Sequence, residues 1–157
     1  FAAKSLQLDI TADKRDQLMQ AYLQLNAWPD VPAALKRLRQ AGMRLAFLSN
    51  MTGKMLATNL HDAGLDGLFE HVLSTDQVRS YKPDPKAYEM GVKALGLKRE
   101  EILFAAFAGW DVAGAKWYGY PTFWVNRLGS PPEELGVAAD AAGPGMDDLV
   151  RFVSPRA

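Results

Sequence analysis

The sequence contains no cysteine among its 157 residues. This excludes disulfide bonds, thiolate metal ligands and a cysteine nucleophile together, and it is typical of a cytoplasmic protein. The chain also lacks a charge imbalance, because 18 lysines and arginines match 18 aspartates and glutamates. We therefore expect no nucleic acid and no membrane surface as a partner, and we favour a small neutral or anionic ligand.

Long apolar runs are missing as well. No stretch approaches the ~20 consecutive apolar residues that cross a bilayer, so no membrane segment is predicted. The 48% hydrophobic content is nevertheless enough for one globular domain with a core. The two histidines, His61 and His71, have no partners at metal-ligand spacing, and we interpret them as ordinary surface or helix-end residues.

Helical and strand-like patterns alternate along the chain. Strands are predicted at Met43–Leu48, His71–Leu73, Ile102–Phe107 and Thr122–Val125. Helices are predicted to begin at Thr11 (the N-cap), near Pro32, Gly53 and Pro85, and at Asp111, and residues 141–153 to form a loop and a last helix. Strands that alternate with single helices predict a parallel sheet covered on both faces, and therefore an α/β fold.

Polar side chains follow three of the predicted strands, where an open parallel sheet binds its ligands. Ser49 and Asn50 either cradle an anion at a helix N-terminus or simply cap that helix. Lys82, before a proline, is either a placed ammonium group or a solvated loop residue. Asp111 is either a site carboxylate or a helix N-cap, and its neighbour Trp110 is either a site wall or core.

This order of hydroxyl, ammonium and carboxylate resembles the haloacid dehalogenase (HAD) superfamily. The stretch "AFLSNMT" is similar to its second motif, "YKPDPKAY" to its third and "FAGWDVAGAKWYGYPTFWVNR" to its fourth. Superfamily phosphatases usually carry "GDS" or "GDT" and a further aspartate in the fourth motif, whereas "GWDVAGAK" resembles the type II (S)-2-haloacid dehalogenases. The resemblance implies the end of a helical cap at residues 1–27 and a Rossmann-like core with a parallel sheet at residues 28–157.

The resemblance also implies a role for each loop residue. Lys82 would pair with the nucleophilic carboxylate, Ser49 would hydrogen-bond the substrate carboxylate, and Asn50 would help to receive the halide. Asp111 would orient Lys82 and act as, or alongside, the base for the hydrolytic water. Trp110 would form an apolar wall of the substrate pocket.

A tyrosine completes the implied site. Tyr88 resembles the active-site tyrosine of the family, although a tyrosine at helical spacing with Val92 and Leu95 is also typical of a core position. The more usual fourth motif has a serine and an asparagine that help to place the hydrolytic water, and Ala106 and Ala108 stand there in this chain. We therefore expect that this protein places the hydrolytic water differently from the usual family members, or that its substrate differs from theirs.

The implied activity is hydrolysis of a short 2-haloalkanoic acid, such as a haloacetate or a 2-halopropionate, to the 2-hydroxy acid through an aspartyl ester. A single carboxylate beside an indole is a poor magnesium site, so neither a metal nor another cofactor is expected. The resemblance further suggests a cytoplasmic homodimer. A Mg2+-dependent phosphatase of the same superfamily and a non-catalytic HAD-like fragment are the alternatives.

The first motif of the family, a strand that ends in Asp-x-x-x-Thr, is absent from these residues. Its aspartate would be the nucleophile, and its strand would be the central one, between the strands that precede Ser49 and Asp111. We therefore expect the 157 residues to be the C-terminal part of a longer protein, and to fold poorly alone. Cooperative unfolding of a monomer with the mass of this sequence would contradict that expectation.

Overall fold

The computed structural model describes residues 2–154. Phe1 and residues 155–157, the outer ends of the predicted cap and core segments, lie outside the described residues. The helices are α1 (Ala2–Ser5), α2 (Ala12–Ala21), α3 (Val31–Gln40), α4 (Gly53–Asp62), α5 (Pro85–Leu95), α6 (Gly109–Tyr118) and α7 (Met146–Val153). The strands are β1 (Ala46–Ser49), β2 (His71–Ser74), β3 (Phe104–Ala106), β4 (Thr122–Val125) and β5 (Ala141–Gly143).

The strands form two sheets, and every pairing in them is parallel. β1 pairs with β2, and β3, β4 and β5 form a second sheet in that order. The predicted α/β fold with parallel strands is confirmed. Within residues 2–154, no backbone pairing joins β1 to β3, which is the arrangement expected of a core whose central strand is absent from this chain.

Two apolar clusters hold the sheets and helices together. The larger one joins α3, α4, α7 and β4, and its buried members are Leu35, Leu38, Leu60, Leu65, Phe123, Val125 and Leu149. The smaller one consists of Tyr88, Ala115, Tyr118 and Tyr120, with Leu48 of β1 and Phe104 of β3 packed against it. The smaller cluster therefore contacts both sheets. Burial of each large apolar side chain contributes about 1.5–3 kcal/mol.

Local signals account for most helix ends. Thr11 caps α2, as predicted, and accepts a hydrogen bond from the Lys14 amide at 3.3 Å. Pro32 lies in the first turn of α3, and Gly96 ends α5 with a positive φ of 65° that favours glycine. Between residues 2 and 154, no helix is both long and apolar enough to cross a membrane.

Two strand predictions are too long, and one strand was missed. β1 starts at Ala46 instead of Met43, and β3 covers only Phe104–Ala106. β5 lies at Ala141–Gly143, where a loop was predicted, because its alanines and glycine have little intrinsic strand preference. Pairing with β4 and the anchor at Asp140, which accepts from the Thr122 amide at 2.8 Å, place this strand instead.

Candidate active site

The candidate site lies where the carboxyl ends of the strands meet. Ser49 ends β1 and Asn50 follows it, while Thr75 directly follows β2. Asp111 lies in the first turn of α6, five residues beyond the end of β3, and Lys82 lies in the loop before α5. Hydrogen bonds link Thr75 to Asn50, Asn50 to Lys82 and Lys82 to Asp111, so side chains from distant parts of the sequence and from the ends of both sheets meet at one place.

Lys82 and Asp111 form a buried ion pair at the centre of this group. The Lys82 Nζ lies 2.5 Å from the Asp111 Oδ2, and the two side chains are 10% and 8% exposed. The same Nζ donates to the carbonyl oxygen of Leu48 at 3.4 Å and lies 5.6 Å from the ring centroid of Phe104. Since a buried charge is stable only when it is paired, each partner keeps the other in place. The interpretation of Lys82 as a solvated loop residue is wrong.

Tyr88 holds the other oxygen of the same carboxylate. Its hydroxyl donates to the Asp111 Oδ1 at 2.9 Å and to the Asp111 carbonyl oxygen at 3.2 Å. The side chain is fully buried, and burial together with the negative charge of Asp111 raises the pKa of Tyr88 far above its ordinary value. Tyr88 is therefore a permanent donor at neutral pH. The interpretation of Tyr88 as a core residue is confirmed, because its ring is buried and packs edge-on against Phe104. Its role as an active-site tyrosine stays a prediction.

A glycine makes room for this tyrosine. A Cβ atom at Gly114 of α6 would lie 2.5 Å from the Tyr88 hydroxyl oxygen and 2.7 Å from the Pro83 Cβ. Real Cβ atoms do not approach other atoms so closely, so the backbone of α6 can reach the tyrosine only with glycine at this position. Gly114 thus allows α6 to lie close to Tyr88 of α5.

The start of α6 differs from the prediction. The helix begins at Gly109 and its N-cap is Ala108, so the interpretation of Asp111 as the N-cap is wrong. The carboxylate turns to Lys82 and Tyr88 instead. Among the described residues, no three aspartate, glutamate or histidine side chains gather where they could hold a metal ion. Each Asp111 side-chain oxygen accepts one hydrogen bond, Oδ2 from Lys82 and Oδ1 from Tyr88.

Ser49 and Asn50 do not serve as caps of α4. That N-cap is Thr52, whose hydroxyl oxygen accepts from the Met55 amide at 3.3 Å. The Ser49 hydroxyl accepts from the Met51 amide at 3.1 Å, and within residues 2–154 it donates no hydrogen bond, so its proton is available to an anion. The capping interpretation is therefore wrong for both residues.

Asn50 is directed to the main chain of Lys82. Its Oδ1 accepts from the Lys82 amide at 2.8 Å and from the Thr75 hydroxyl at 3.2 Å. Its Nδ2 donates to the Lys82 carbonyl oxygen at 3.4 Å. Thr75 was not predicted from the sequence, although it follows the end of β2 as Asn50 follows the end of β1.

Trp110 takes no part in these hydrogen bonds between residues 2 and 154, and 42% of its surface is exposed. The interpretation of Trp110 as a core residue is wrong, whereas an exposed indole at the start of α6 is compatible with a wall of the site. Phe107 is also half exposed, and its carbonyl oxygen accepts a hydrogen bond from the Trp124 indole at 2.9 Å. Two exposed aromatic side chains therefore lie close to Asp111 in the sequence, at the end of β3 and the start of α6.

A family model for haloacid dehalogenase-like hydrolases matches residues 2–119, well over half of the chain. The chain belongs to the haloacid dehalogenase-like hydrolase family. The haloacetate dehalogenase H-2 of Moraxella sp. (strain B) is 42% identical over 98% of this chain and 69% of its own length. The predicted resemblance to haloacid dehalogenases is confirmed.

Solved structures of haloacid dehalogenases agree with this assignment. A crystal structure of an L-2-haloacid dehalogenase matches with a TM-score of 0.89 and 45% identity, over 97% of this chain and 67% of that one. The L-2-haloacid dehalogenase from Xanthobacter autotrophicus, with chloropropionic acid covalently bound, matches with a TM-score of 0.85 and 31% identity, over 96% of this chain and 70% of that one. The chain spans about two thirds of the length of each of these relatives.

Two positions set this haloacid dehalogenase-like chain apart from the motif described above. Ala106 is the last residue of β3, and Ala108 is the N-cap of α6 without a side-chain capping bond. Both alanines are partly buried. A methyl group cannot hydrogen-bond a water molecule, so any water at this edge has to be held by other groups.

Proposed function

We propose that this chain is the core of a hydrolase that acts on carbon–halide bonds and converts a short 2-haloalkanoic acid to the 2-hydroxy acid. The observation that carries the proposal is the buried arrangement of Lys82, Asp111 and Tyr88 at the sheet edge. The 42% identical relative named a haloacetate dehalogenase supports a small substrate. The exposed indole of Trp110, which precedes Asp111 in α6, is compatible with an apolar wall for a weakly hydrated halide.

The proposed reaction has two steps. A carboxylate attacks the carbon that bears the halogen, the carbon–halogen bond breaks, and the halide leaves with the bonding electron pair. Water then attacks the resulting ester, gives up its proton, and releases the 2-hydroxy acid and the free carboxylate. The covalent chloropropionic acid complex of the Xanthobacter relative supports such an intermediate. The first motif that would supply the nucleophile is not among these 157 residues, so the tests below use the full-length protein.

The charges of the site suit this chemistry. The Lys82 ammonium attracts both the nucleophilic carboxylate and the carboxylate of the substrate, and it reduces the repulsion between them. Asp111 fixes the direction of the ammonium group, and Tyr88 fixes Asp111. Each oxygen of Asp111 has a second lone pair, so the carboxylate can still accept a proton from a water molecule. Ser49 retains a hydroxyl proton for the substrate carboxylate.

Halide release tests the proposal. The full-length protein is incubated with chloroacetate or 2-chloropropionate, with and without EDTA, and free chloride is measured. We expect chloride release that EDTA does not reduce and that Lys82→Ala abolishes. No chloride from any short haloacid would refute the proposal. Hydrolysis of a generic phosphate ester that EDTA abolishes would support the phosphatase alternative.

We further propose that residues 1–27 belong to a helical cap, that residues 28–157 form the core, and that the protein is a cytoplasmic homodimer. The family resemblance supports these points. The exposure of large apolar side chains near the predicted cap, such as Leu18 at 56% and Trp28 at 52%, also favours further contacts there. Light scattering of the full-length protein tests the dimer.

A further inference from the structure

We infer that Thr75 and Asn50 form a positioning relay that holds the main chain of Lys82 and thereby aims its ammonium group at Asp111. The relay consists of the Thr75 hydroxyl, the Asn50 side-chain amide and the Lys82 peptide groups. The inference rests on the proposed function, in which the Lys82 charge acts on the nucleophile and the substrate. Thr75 touches no reacting atom, and it acts only through Asn50.

The Asn50 amide pairs with both main-chain groups of Lys82. The Oδ1 accepts from the Lys82 N–H at 2.8 Å, and the Nδ2 donates to the Lys82 carbonyl oxygen at 3.4 Å. A side chain that binds both polar groups of one residue fixes the position and the rotation of that residue. Because the Lys82 side chain starts from this fixed Cα atom, the path of its Nζ to Asp111 is restricted as well.

Thr75 determines which way the Asn50 amide faces. The amide oxygen has two lone pairs, and the Thr75 hydroxyl at 3.2 Å occupies the one that the Lys82 N–H leaves. Because the Thr75 hydroxyl donates, it favours the orientation of the Asn50 amide in which Oδ1, and not Nδ2, faces Thr75. Rotation of the amide by half a turn would place the Nδ2 donors against the Lys82 N–H and leave its hydrogen bond unmade.

The relay is also rigidly supported. Asn50 and Thr75 each come one residue after the ends of β1 and β2, which are paired with Ser49 opposite Ser74. Thr75 has no exposed surface, and the neighbouring Ser74 hydroxyl donates to the Met51 carbonyl oxygen at 2.6 Å. The Lys82 Nζ donates to the carbonyl oxygen of Leu48, in β1, at 3.4 Å. The paired strand ends therefore hold the lysine at both its main chain and its tip.

The relay limits the role of Asn50 toward a halide. The Oδ1 and one N–H of Asn50 are committed to Thr75 and Lys82, so one N–H at most is left for a ligand. We therefore expect the loss of Asn50 to reduce activity mainly through misplacement of Lys82.

Removal of the Thr75 hydroxyl tests the relay. In the full-length protein, Thr75→Val keeps the shape of the side chain and is expected to lower kcat for chloroacetate about five- to tenfold with little change in KM. Thr75→Ser restores the donor and is expected to recover most of the rate. Thr75→Cys offers a weak donor of similar size and gives an intermediate rate. The matched control is Thr122→Val, because Thr122 is equally buried but its hydroxyl bonds Asp140.

A second measurement does not depend on dehalogenation. Amide hydrogen exchange at Lys82 is expected to accelerate about fivefold in Thr75→Val, and not in Thr122→Val. If the unaltered protein releases no halide, the proposed function fails while this exchange rate still decides the relay. An unchanged Lys82 exchange rate in Thr75→Val would overturn the inference. A Thr75→Ser variant as impaired as Thr75→Val would do the same, because it would show that packing of the methyl group matters and the hydroxyl does not.

Discussion

The Nζ of Lys82 and the Oδ2 of Asp111 lie 2.5 Å apart, with no more than a tenth of either side chain exposed. The pair joins the loop before α5 to the first turn of α6, so it ties together two segments that lie 29 residues apart. Its removal therefore affects stability as well as any chemistry at the site.

We predict that Lys82→Met lowers the free energy of unfolding by about 3–5 kcal/mol, because Asp111 then loses its buried counter-charge. The double variant Lys82→Met with Asp111→Leu is expected to regain most of this loss but to release no halide. Urea unfolding measures the free energy of unfolding of the single and the double variant. The control is Lys93→Met, which breaks the exposed pair with Glu89 and is expected to cost less than about 0.5 kcal/mol. A double variant less stable than both single variants would contradict the prediction.

Tyr88→Phe is expected to lower kcat about tenfold and the free energy of unfolding by about 1–2 kcal/mol, because Asp111 loses the donor to its Oδ1. Tyr120→Phe is the matched control, since the Tyr120 hydroxyl is also buried but donates to the Tyr88 carbonyl oxygen at 2.5 Å. The control should lose similar stability and keep its kcat. Equal kcat values in the two variants would show that the Tyr88 hydroxyl has a structural role only.

Gly114→Ala is expected to cost about 1–3 kcal/mol of stability, because the added Cβ would lie within 2.5 Å of the Tyr88 hydroxyl. The shift of α6 or Tyr88 that relieves this contact should also reduce halide release. Gly53→Ala in α4 is the matched control, since nothing lies within 4 Å of a Cβ there. Thermal unfolding compares the two. Equal melting temperatures would show that α6 accommodates the methyl group.

Local chemistry explains what the sequence predicted well. Pro32, Gly96 and Thr11 determine backbone geometry or a cap within a few residues, so helix positions follow from the sequence directly. Lys82 and Asp111 lie in loops that follow predicted strands, and a parallel fold brings such loops to one end, where the two side chains pair. Their roles in a reaction stay predictions.

Long-range contacts explain what the sequence did not predict. β5 has a weak strand composition and depends on pairing with β4. Thr75 gains its importance only from the Asn50 amide, which belongs to a different strand end. The start of α6 at Gly109, with an alanine as N-cap, carries no capping residue in the sequence to mark it.

Asp30 provides a prediction that depends on pH. Its carboxylate accepts from the Arg127 guanidinium at 2.8 Å and from the Met146 amide at 2.8 Å, and so joins the starts of α3 and α7. Burial alone would raise the pKa of Asp30, but the hydrogen bonds from Arg127 and Met146 outweigh it and hold the pKa below the ordinary value of 3.8. A carboxyl with a lowered pKa in the folded state stabilises the fold above its unfolded pKa, and this contribution is lost as the pH falls through the folded value.

We therefore predict that Asp30→Asn costs about 1–3 kcal/mol at pH 7, and that its stability approaches that of the unaltered protein as the pH falls below the ordinary value of 3.8. Urea unfolding at a series of pH values measures the difference. Asp16→Asn is the control, because Asp16 forms a 70% exposed pair with Arg15 and should change stability by less than about 0.5 kcal/mol at any pH. The outcome that would contradict this prediction is a difference in the free energy of unfolding, between Asp30→Asn and the unaltered protein, that stays constant into the acid range. It would show that the shape of Asp30 stabilises the fold and its charge does not.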